Sequence, residues 1–81
     1  MKIVSAKNAA LQSGGVVYSV YSHESLTHPG QYLVHLLGGG MELTTLADSR
    51  GAGMIELAEV LRQLGHDLTK MAFEQEGSVK L

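Results

Sequence analysis

The feature that most constrains the fold lies between residues 31 and 65, where two apolar runs flank three consecutive glycines and a helical pattern follows. The two runs cover residues 32–37 and 41–46, and both are long enough for a strand. Glycine accepts positive φ without steric cost, so Gly38, Gly39 and Gly40 are compatible with a tight loop between antiparallel strands. The stretch therefore predicts a β-hairpin followed by a helix.

The segment after the hairpin has one apolar side. Its apolar residues recur at the i, i+3, i+4, i+7 spacing of an amphipathic helix: Met54, Leu57, Ala58, Leu61 and Leu64. Asp48 or Ser49 can cap this helix, because either side chain accepts a bond from a free backbone N–H. Gly51 and Gly53 are poor helix formers, which predicts a regular helix only from about residue 54. Gly65 predicts its end in the left-handed conformation.

Three further segments complete the predicted fold. Residues 16–22 are rich in β-branched and aromatic side chains and predict a strand, whereas residues 8–15 read as a loop. Residues 68–75 alternate and predict a last strand, and residues 2–6 an optional first one. The prediction is an α+β fold: an antiparallel sheet of four strands, or five, with one α-helix packed on one face, in the order (β)βββαβ.

Size and composition point to a partner. The 81 residues predict a single domain spanning 1–81. Hydrophobic residues make up 44% of the chain and charged residues 17%, below the globular average of about 25%. A domain this small buries only about 60% of the surface that its unfolded chain exposes. We therefore expect contact with a protein partner or with a second copy, as a homodimer.

Charge and cysteine content exclude several classes. The chain has no cysteine, which excludes disulfides, cysteine-based zinc sites and a cysteine nucleophile, and an intracellular, cytoplasmic setting is expected. The first apolar run is too short for a signal peptide, and no segment approaches the roughly 20 apolar residues that span a bilayer, so no membrane is expected. The net charge of −2 provides no long-range attraction to nucleic acid.

The helix start is the most suggestive binding motif. Backbone N–H groups near Ser49, Arg50, Gly51 and Gly53 can face an anion, with the helix dipole and the guanidinium adding positive potential. The glycine spacing fits neither a phosphate-binding P-loop nor a dinucleotide fingerprint, and an ordinary capped turn is the competing interpretation. A nucleic-acid binder could add base stacking on aromatic side chains, with these candidates: Tyr18, Tyr21, Tyr32 and Phe73.

Catalytic and metal signals are sparse. The four histidines, His23, His28, His35 and His66, show no ligand spacing, so neither a metal nor another cofactor is predicted. Ser22, His23 and Glu24 are adjacent, but neighbouring strand residues point to opposite faces. A small enzyme using His23, Glu56 or Glu59 as its acid–base group is the weakest hypothesis, and the expectation is that the protein is not an enzyme.

A sheet with a helix on one face has a second face to account for. The alternation of the strands separates one possible core set from a candidate interaction surface: Val17, Tyr21, Leu33, His35 and Leu37. The predicted core contains twelve side chains: Val16, Tyr18, Val20, Val34, Leu36, Leu43, Leu57, Ala58, Leu61, Leu64, Met71 and Phe73. Which set faces the helix is open at this point.

In size, polarity and layout the chain resembles compact α+β proteins encoded by bacteria and their phages. Many of those bind and block or adjust a larger machine, as small anti-CRISPR and antirestriction proteins do. The resemblance covers the architecture and implies a non-enzymatic binding protein, of the kind that inhibits a larger bacterial complex through protein contacts. The anion or nucleic-acid binder that uses Arg50 and the helix start is the alternative.

Overall fold

The structure, a computed structural model, describes residues 6–76 as a four-stranded sheet followed by one helix. The elements are β1 (Ala6–Ser13), β2 (Val16–Glu24), β3 (Tyr32–Gly38), β4 (Met41–Ala47) and α1 (Arg50–Glu76). The strands lie in the order β1-β2-β3-β4, and each neighbouring pair is antiparallel. The predicted class is confirmed: an α+β fold with a four-stranded antiparallel sheet and one helix.

Two-residue glycine loops form two of the three connections between neighbouring strands. Gly14 and Gly15 join β1 to β2 with φ of 59° and 77°, and Gly39 and Gly40 join β3 to β4 with φ of 58° and 78°. Positive φ at both central residues is typical of the turn whose twist matches that of the flanking strands. These loops set the register, since Ser13 pairs with Val16 and Gly38 with Met41.

The predicted strand over residues 68–75 is wrong, because α1 continues through Gly65 to Glu76. An interior glycine costs a helix about 1 kcal/mol but does not end it when the following turns remain helical. Here the Thr69 hydroxyl donates to the Gly65 carbonyl at 2.9 Å, and the Gln63 amide donates to Asp67 at 3.1 Å. Helix contacts thus continue on both sides of Gly65.

The start of the helix and the identity of the fourth strand also differ from expectation. α1 begins at Arg50 rather than near residue 54. The predicted loop over residues 8–15 is largely β1, whose small residues are held by pairing with β2, for example Ala9 opposite Val20. Residues 2–5 of the predicted first strand lie outside the described residues.

The core lies between α1 and the β3–β4 half of the sheet. Val34, Leu36 and Leu57 form its buried centre, and five half-buried side chains pack against them: Tyr18, Val20, Met41, Leu43 and Leu61. Ala47 is buried as well. The helix therefore covers the face that carries Val34 and Leu36, and the predicted interaction surface lies on the opposite face.

For four residues the prediction that they belong to the core is wrong. Leu64, Met71 and Phe73 are exposed by 47%, 53% and 41%, and Ala58 is exposed too, whereas Val16 is half-buried. The helix has 27 residues and is about 40 Å long, but the seven residues of β4 span only about 23 Å. The C-terminal half of α1 therefore extends past the sheet, and the described chain is elongated, 56 × 25 × 18 Å.

Candidate interaction surfaces

In the described part of the chain, one side of the sheet has no helix over it. This open face is formed by alternate side chains of all four strands: Asn8, Ala10 and Gln12 on β1, and Val17, Ser19, Tyr21, His23, Leu33, His35, Leu37, Glu42, Thr44 and Leu46 on β2, β3 and β4. It contains all five residues of the predicted interaction surface. Most of its large side chains are half-buried by their neighbours on the sheet, while Val17 is 64% exposed.

A row of paired residues crosses the middle of the open face. Tyr21 lies opposite His35, and His35 lies opposite Thr44 on the next strand. The Tyr21 and His35 rings stack with centroids 4.4 Å apart and planes 17° apart. The Nδ1 atom of His35 lies 2.9 Å from the Thr44 hydroxyl. Contacts on both sides therefore hold the His35 ring in one orientation.

His23 extends this row along β2. Its Nε2 atom lies 3.1 Å from Nε2 of His35, and its Nδ1 atom lies 3.1 Å from the Glu24 carbonyl. A carbonyl only accepts, so His23 donates from Nδ1 and its Nε2 must accept the proton of His35 Nε2. The Thr44 hydroxyl then donates to Nδ1 of His35. With this assignment of tautomers, every polar atom in the series of hydrogen bonds from the Glu24 carbonyl to the Thr44 hydroxyl has a partner.

Burial lowers the pKa of His35 from the usual 6.5, and the nearby His23 lowers it further, whereas Glu42 opposes the shift. His35 is therefore neutral near pH 7. The two imidazoles could provide two metal ligands, but zinc sites take three or four. The described residues hold no group of three or more His, Cys, Asp or Glu side chains that could bind a metal ion.

A second apolar surface lies on the helix side of the sheet, where α1 leaves β1 uncovered. We call it the β1–α1 groove. It has a volume of about 330 Å³ and its walls include Ala9, Leu11, Val20, Met54, Ala58 and Leu61. The residues that follow along the helix, 62–76, form what we call the overhang. Its apolar side chains Leu64, Leu68 and Met71 are about half exposed.

The helix start has local partners for several of its donors. The Ser49 hydroxyl accepts the Ala52 N–H at 3.0 Å, and the Gly53 N–H donates to the Ser49 carbonyl at 3.0 Å. The Arg50 guanidinium lies over the Tyr32 ring, 4.6 Å from its centroid. These contacts engage the Ser49 hydroxyl and the Gly53 N–H within the fold, whereas the buried Nε of Arg50 has no hydrogen-bond partner among the described residues.

Ser49 and Gly51 are the exposed members of the predicted anion-binding set. The nearby Asp48 carboxylate accepts a hydrogen bond from the Gln31 amide at 3.1 Å, which places negative charge beside the helix start. Anion binding at this position stays a prediction, and its available donors are fewer than the sequence indicates.

The residues proposed for acid–base chemistry do not meet. His23 belongs to the open face, whereas Glu56 and Glu59 are exposed on α1, which packs on the other side of the sheet. Glu59 instead pairs with Arg62 one turn along the helix. Of the four aromatic candidates for base stacking, Tyr21 lies on the open face. Tyr32 contacts Arg50, Tyr18 packs against the core, and Phe73 is on the overhang.

Sequence reasoning missed the apolar surface of the overhang. Leu61, Leu64, Leu68 and Met71 are spaced by three, four and three residues. This spacing continues the helical pattern past Gly65 and is the signal that could have revealed the surface.

Comparison of the chain with protein-family models, with curated proteins and with solved structures finds no match. Within residues 6–76, no helix is long and apolar enough to cross a membrane.

Proposed function

We propose that this protein is a small, non-enzymatic binding protein that acts through protein contacts and recognises its partner with the open face. The observation that carries the proposal is that α1 covers one face of the sheet and leaves half-exposed Tyr21, Leu33, His35 and Leu37 on the other. Protein interfaces are enriched in aromatic side chains and depleted of charge at their centres. The middle of the open face has this composition.

The hydrogen bonds of the open face support recognition rather than chemistry. The imidazoles of His23 and His35 are bonded to each other, to Thr44 and to the backbone of Glu24. Polar groups that are already paired lose little when a partner displaces water from the surface. Orientation by stacking on Tyr21 also reduces the side-chain entropy lost on binding.

The partner that fits this surface is a protein with a flat apolar and aromatic patch. An inhibitor or modulator of a larger bacterial complex, the role that the chain's layout suggests, is the form of the proposal that we favour. Binding would then block or adjust the larger complex without any reaction on this chain.

A photocrosslinking pair tests the proposal. Val17 on the open face and Ile55 on α1 are both aliphatic and are 64% and 67% exposed. Each is replaced in turn by a photoreactive amino acid, and the purified protein is irradiated in bacterial lysate. We expect the probe at position 17 to give one crosslinked protein. The same product should not form with the probe at position 55, and excess wild-type chain should prevent its formation by competition. No product, or the same products from both positions, would overturn the proposal.

Oligonucleotide binding distinguishes the proposed protein-binding role from the alternative, an anion or nucleic-acid binder. An anion or nucleic-acid binder that uses Arg50 would bind labelled single- or double-stranded oligonucleotides at low salt and release them as salt rises. The proposed protein-binding role predicts no such salt-dependent complex. A complex that Arg50→Ala abolishes, with no crosslink at position 17, would replace the proposal by the alternative.

A further inference from the structure

We infer that a second copy of this chain occupies the β1–α1 groove with its overhang, so that two copies form a symmetric dimer with antiparallel α1 helices. The inference concerns the helix side of the sheet and leaves the open face free. It is therefore independent of the proposed function, and either one can fail without the other.

Among residues 6–76 nothing covers the groove. α1 packs on β3 and β4, and the β1 side of the same face is left with exposed apolar walls that include Leu11, Met54 and Ala58. Covering such a surface requires an apolar ridge that lies on the sheet next to α1. A helix with an apolar side fits this space because α1 itself packs on the neighbouring strands in the same way.

The overhang supplies such a ridge. Leu64, Leu68 and Met71 follow Leu57 and Leu61 at helical spacing, so they lie on the side of α1 that packs on its own sheet. Past the end of the sheet, no other described element packs on this side of the helix. Two copies related by a two-fold axis bury both overhangs in both grooves, which is the self-complementarity that a symmetric dimer requires.

The position of the groove sets the direction of the second helix. In a two-fold dimer the C-terminal half of each α1 lies beside the N-terminal half of the other, and reciprocal contacts of this kind require the two helices to run antiparallel. Three small residues seven apart, Ala58, Gly65 and Ala72, lie on the groove side of the helix. Small side chains there let two helices approach closely, with Ala58 opposite Ala72 of the second copy.

Charge at the helix ends agrees with this direction. The last described turn of α1 has no basic residue and includes Glu74 and Glu76, which the negative end of their own helix dipole disfavours. An antiparallel partner in the register that pairs Ala58 with Ala72 places Glu76 beside Met54, one turn from Arg50 at the positive end of the other helix, while Glu74 pairs with Lys70 on its own chain.

The exposed area is sufficient for a stable dimer. The chain exposes 6236 Å². A compact monomer of its mass would expose about 4,700 Å², and a standard interface buries about 800 Å² per partner. The radius of gyration, 16.0 Å against about 12 Å for a compact domain of this length, agrees that the single chain is not compact.

Analytical ultracentrifugation of matched variants tests the inference. Leu68→Asp places a carboxylate on the apolar side of the overhang, whereas His66→Asp places one on the exposed opposite side of the same turn. We expect the wild type and His66→Asp to be dimers at high micromolar concentration, and Leu68→Asp to be a monomer with unchanged circular dichroism. A monomeric wild type, or a Leu68→Asp dimer, would overturn the inference.

Engineered cysteines test the direction of the helices, since the natural chain contains none. Residues 58 and 72 are about 21 Å apart along one helix, so a disulfide between them must join two chains. An equimolar mixture of Ala58→Cys and Ala72→Cys chains should form a covalent dimer under mild oxidation, and each variant alone should not. Covalent dimers of Ala72→Cys alone would indicate parallel helices, and no covalent dimer in the mixture would likewise refute the arrangement.

Discussion

Gly53 of α1 lies directly against Val34 of β3. A Cβ atom added at Gly53 would be 2.9 Å from the Val34 Cβ and 3.5 Å from the Ala47 Cβ, closer to Val34 than side chains pack. Val34 is fully buried, so it cannot move aside into solvent. The absence of a side chain at position 53 is what lets the first turns of the helix rest on the middle of the sheet.

The first prediction is that Gly53→Ala destabilises the protein. Alanine is the better helix former, but its methyl group would overlap Val34, and overpacking a core costs about 1–3 kcal/mol. We expect the free energy of unfolding, measured by urea denaturation, to fall by that amount less the gain of up to about 1 kcal/mol from the helix preference of alanine. The midpoint of unfolding should move to a lower urea concentration, and the dependence of the unfolding free energy on urea concentration should stay the same, because the fold itself is retained.

Gly51→Ala is the matched control. Gly51 lies in the same turn of α1, is exposed, and has nothing within 4 Å of the position that its Cβ would take. The helix preference of alanine over glycine should raise the free energy of unfolding by up to about 1 kcal/mol. Equal effects of the two substitutions would show that α1 does not approach β3 as closely as the structure has it.

The second prediction ranks three truncations along α1. Leu57 is 5% exposed, Leu61 is half-buried, and Phe73 lies past the sheet. We expect Leu57→Ala to cost about 2–5 kcal/mol, Leu61→Ala less, and Phe73→Ala almost nothing at a concentration where the protein is monomeric. Thermal or urea unfolding measures the order. A large effect at Phe73 in the monomer would contradict the position of the overhang.

The hairpin could be predicted because its determinants are local. Gly39 and Gly40 provide the positive φ that a two-residue loop needs, and the apolar runs on either side are rich in β-forming residues. The same logic applies to Gly14 and Gly15, but the strand before them was missed. β1 contains Ala, Asn and Gln residues whose strand preference is weak, so its pairing with β2 decides the outcome.

The C-terminal half of the helix was harder to predict because its residues fit two periods. Thr69, Met71 and Phe73 alternate as in a strand, while Leu64, Leu68 and Met71 recur as in a helix. Gly65 then favoured a break between them. The helical pattern prevails because it continues without interruption from Leu57, and the turns on either side of Gly65 supply the cooperativity.

The open face was predictable only as a set of alternating side chains. The strand period places Tyr21 and His35 on the same side once each strand is identified. That His35 stacks on Tyr21 and bonds to His23 depends on the register between β2 and β3, which involves residues more than ten positions apart. No local pattern in the chain encodes that pairing.

The third prediction concerns the cap of α1. The Ser49 hydroxyl accepts the Ala52 N–H at 3.0 Å, so Ser49→Ala leaves that donor unpaired within the protein and should cost about 0.5–2 kcal/mol. Ser49→Asp keeps an acceptor at the same position and adds a charge that the helix dipole favours, so it should retain the wild-type stability. Urea denaturation compares the two. Similar losses for both variants would argue against the capping bond.

The last prediction is a pH dependence of stability that His35 contributes. Because burial and His23 lower the pKa of His35 in the fold, the unfolded chain binds more protons, and stability rises with pH. This contribution is complete above the unfolded pKa of about 6.5 and is lost as pH falls below it. We expect the free energy of unfolding of His35→Gln to fall less than that of the wild type between pH 7.5 and pH 5.5. Above pH 7.5 the free energy of unfolding should depend on pH equally in the two proteins. An identical decline in the variant would mean that protonation of His35 does not oppose folding.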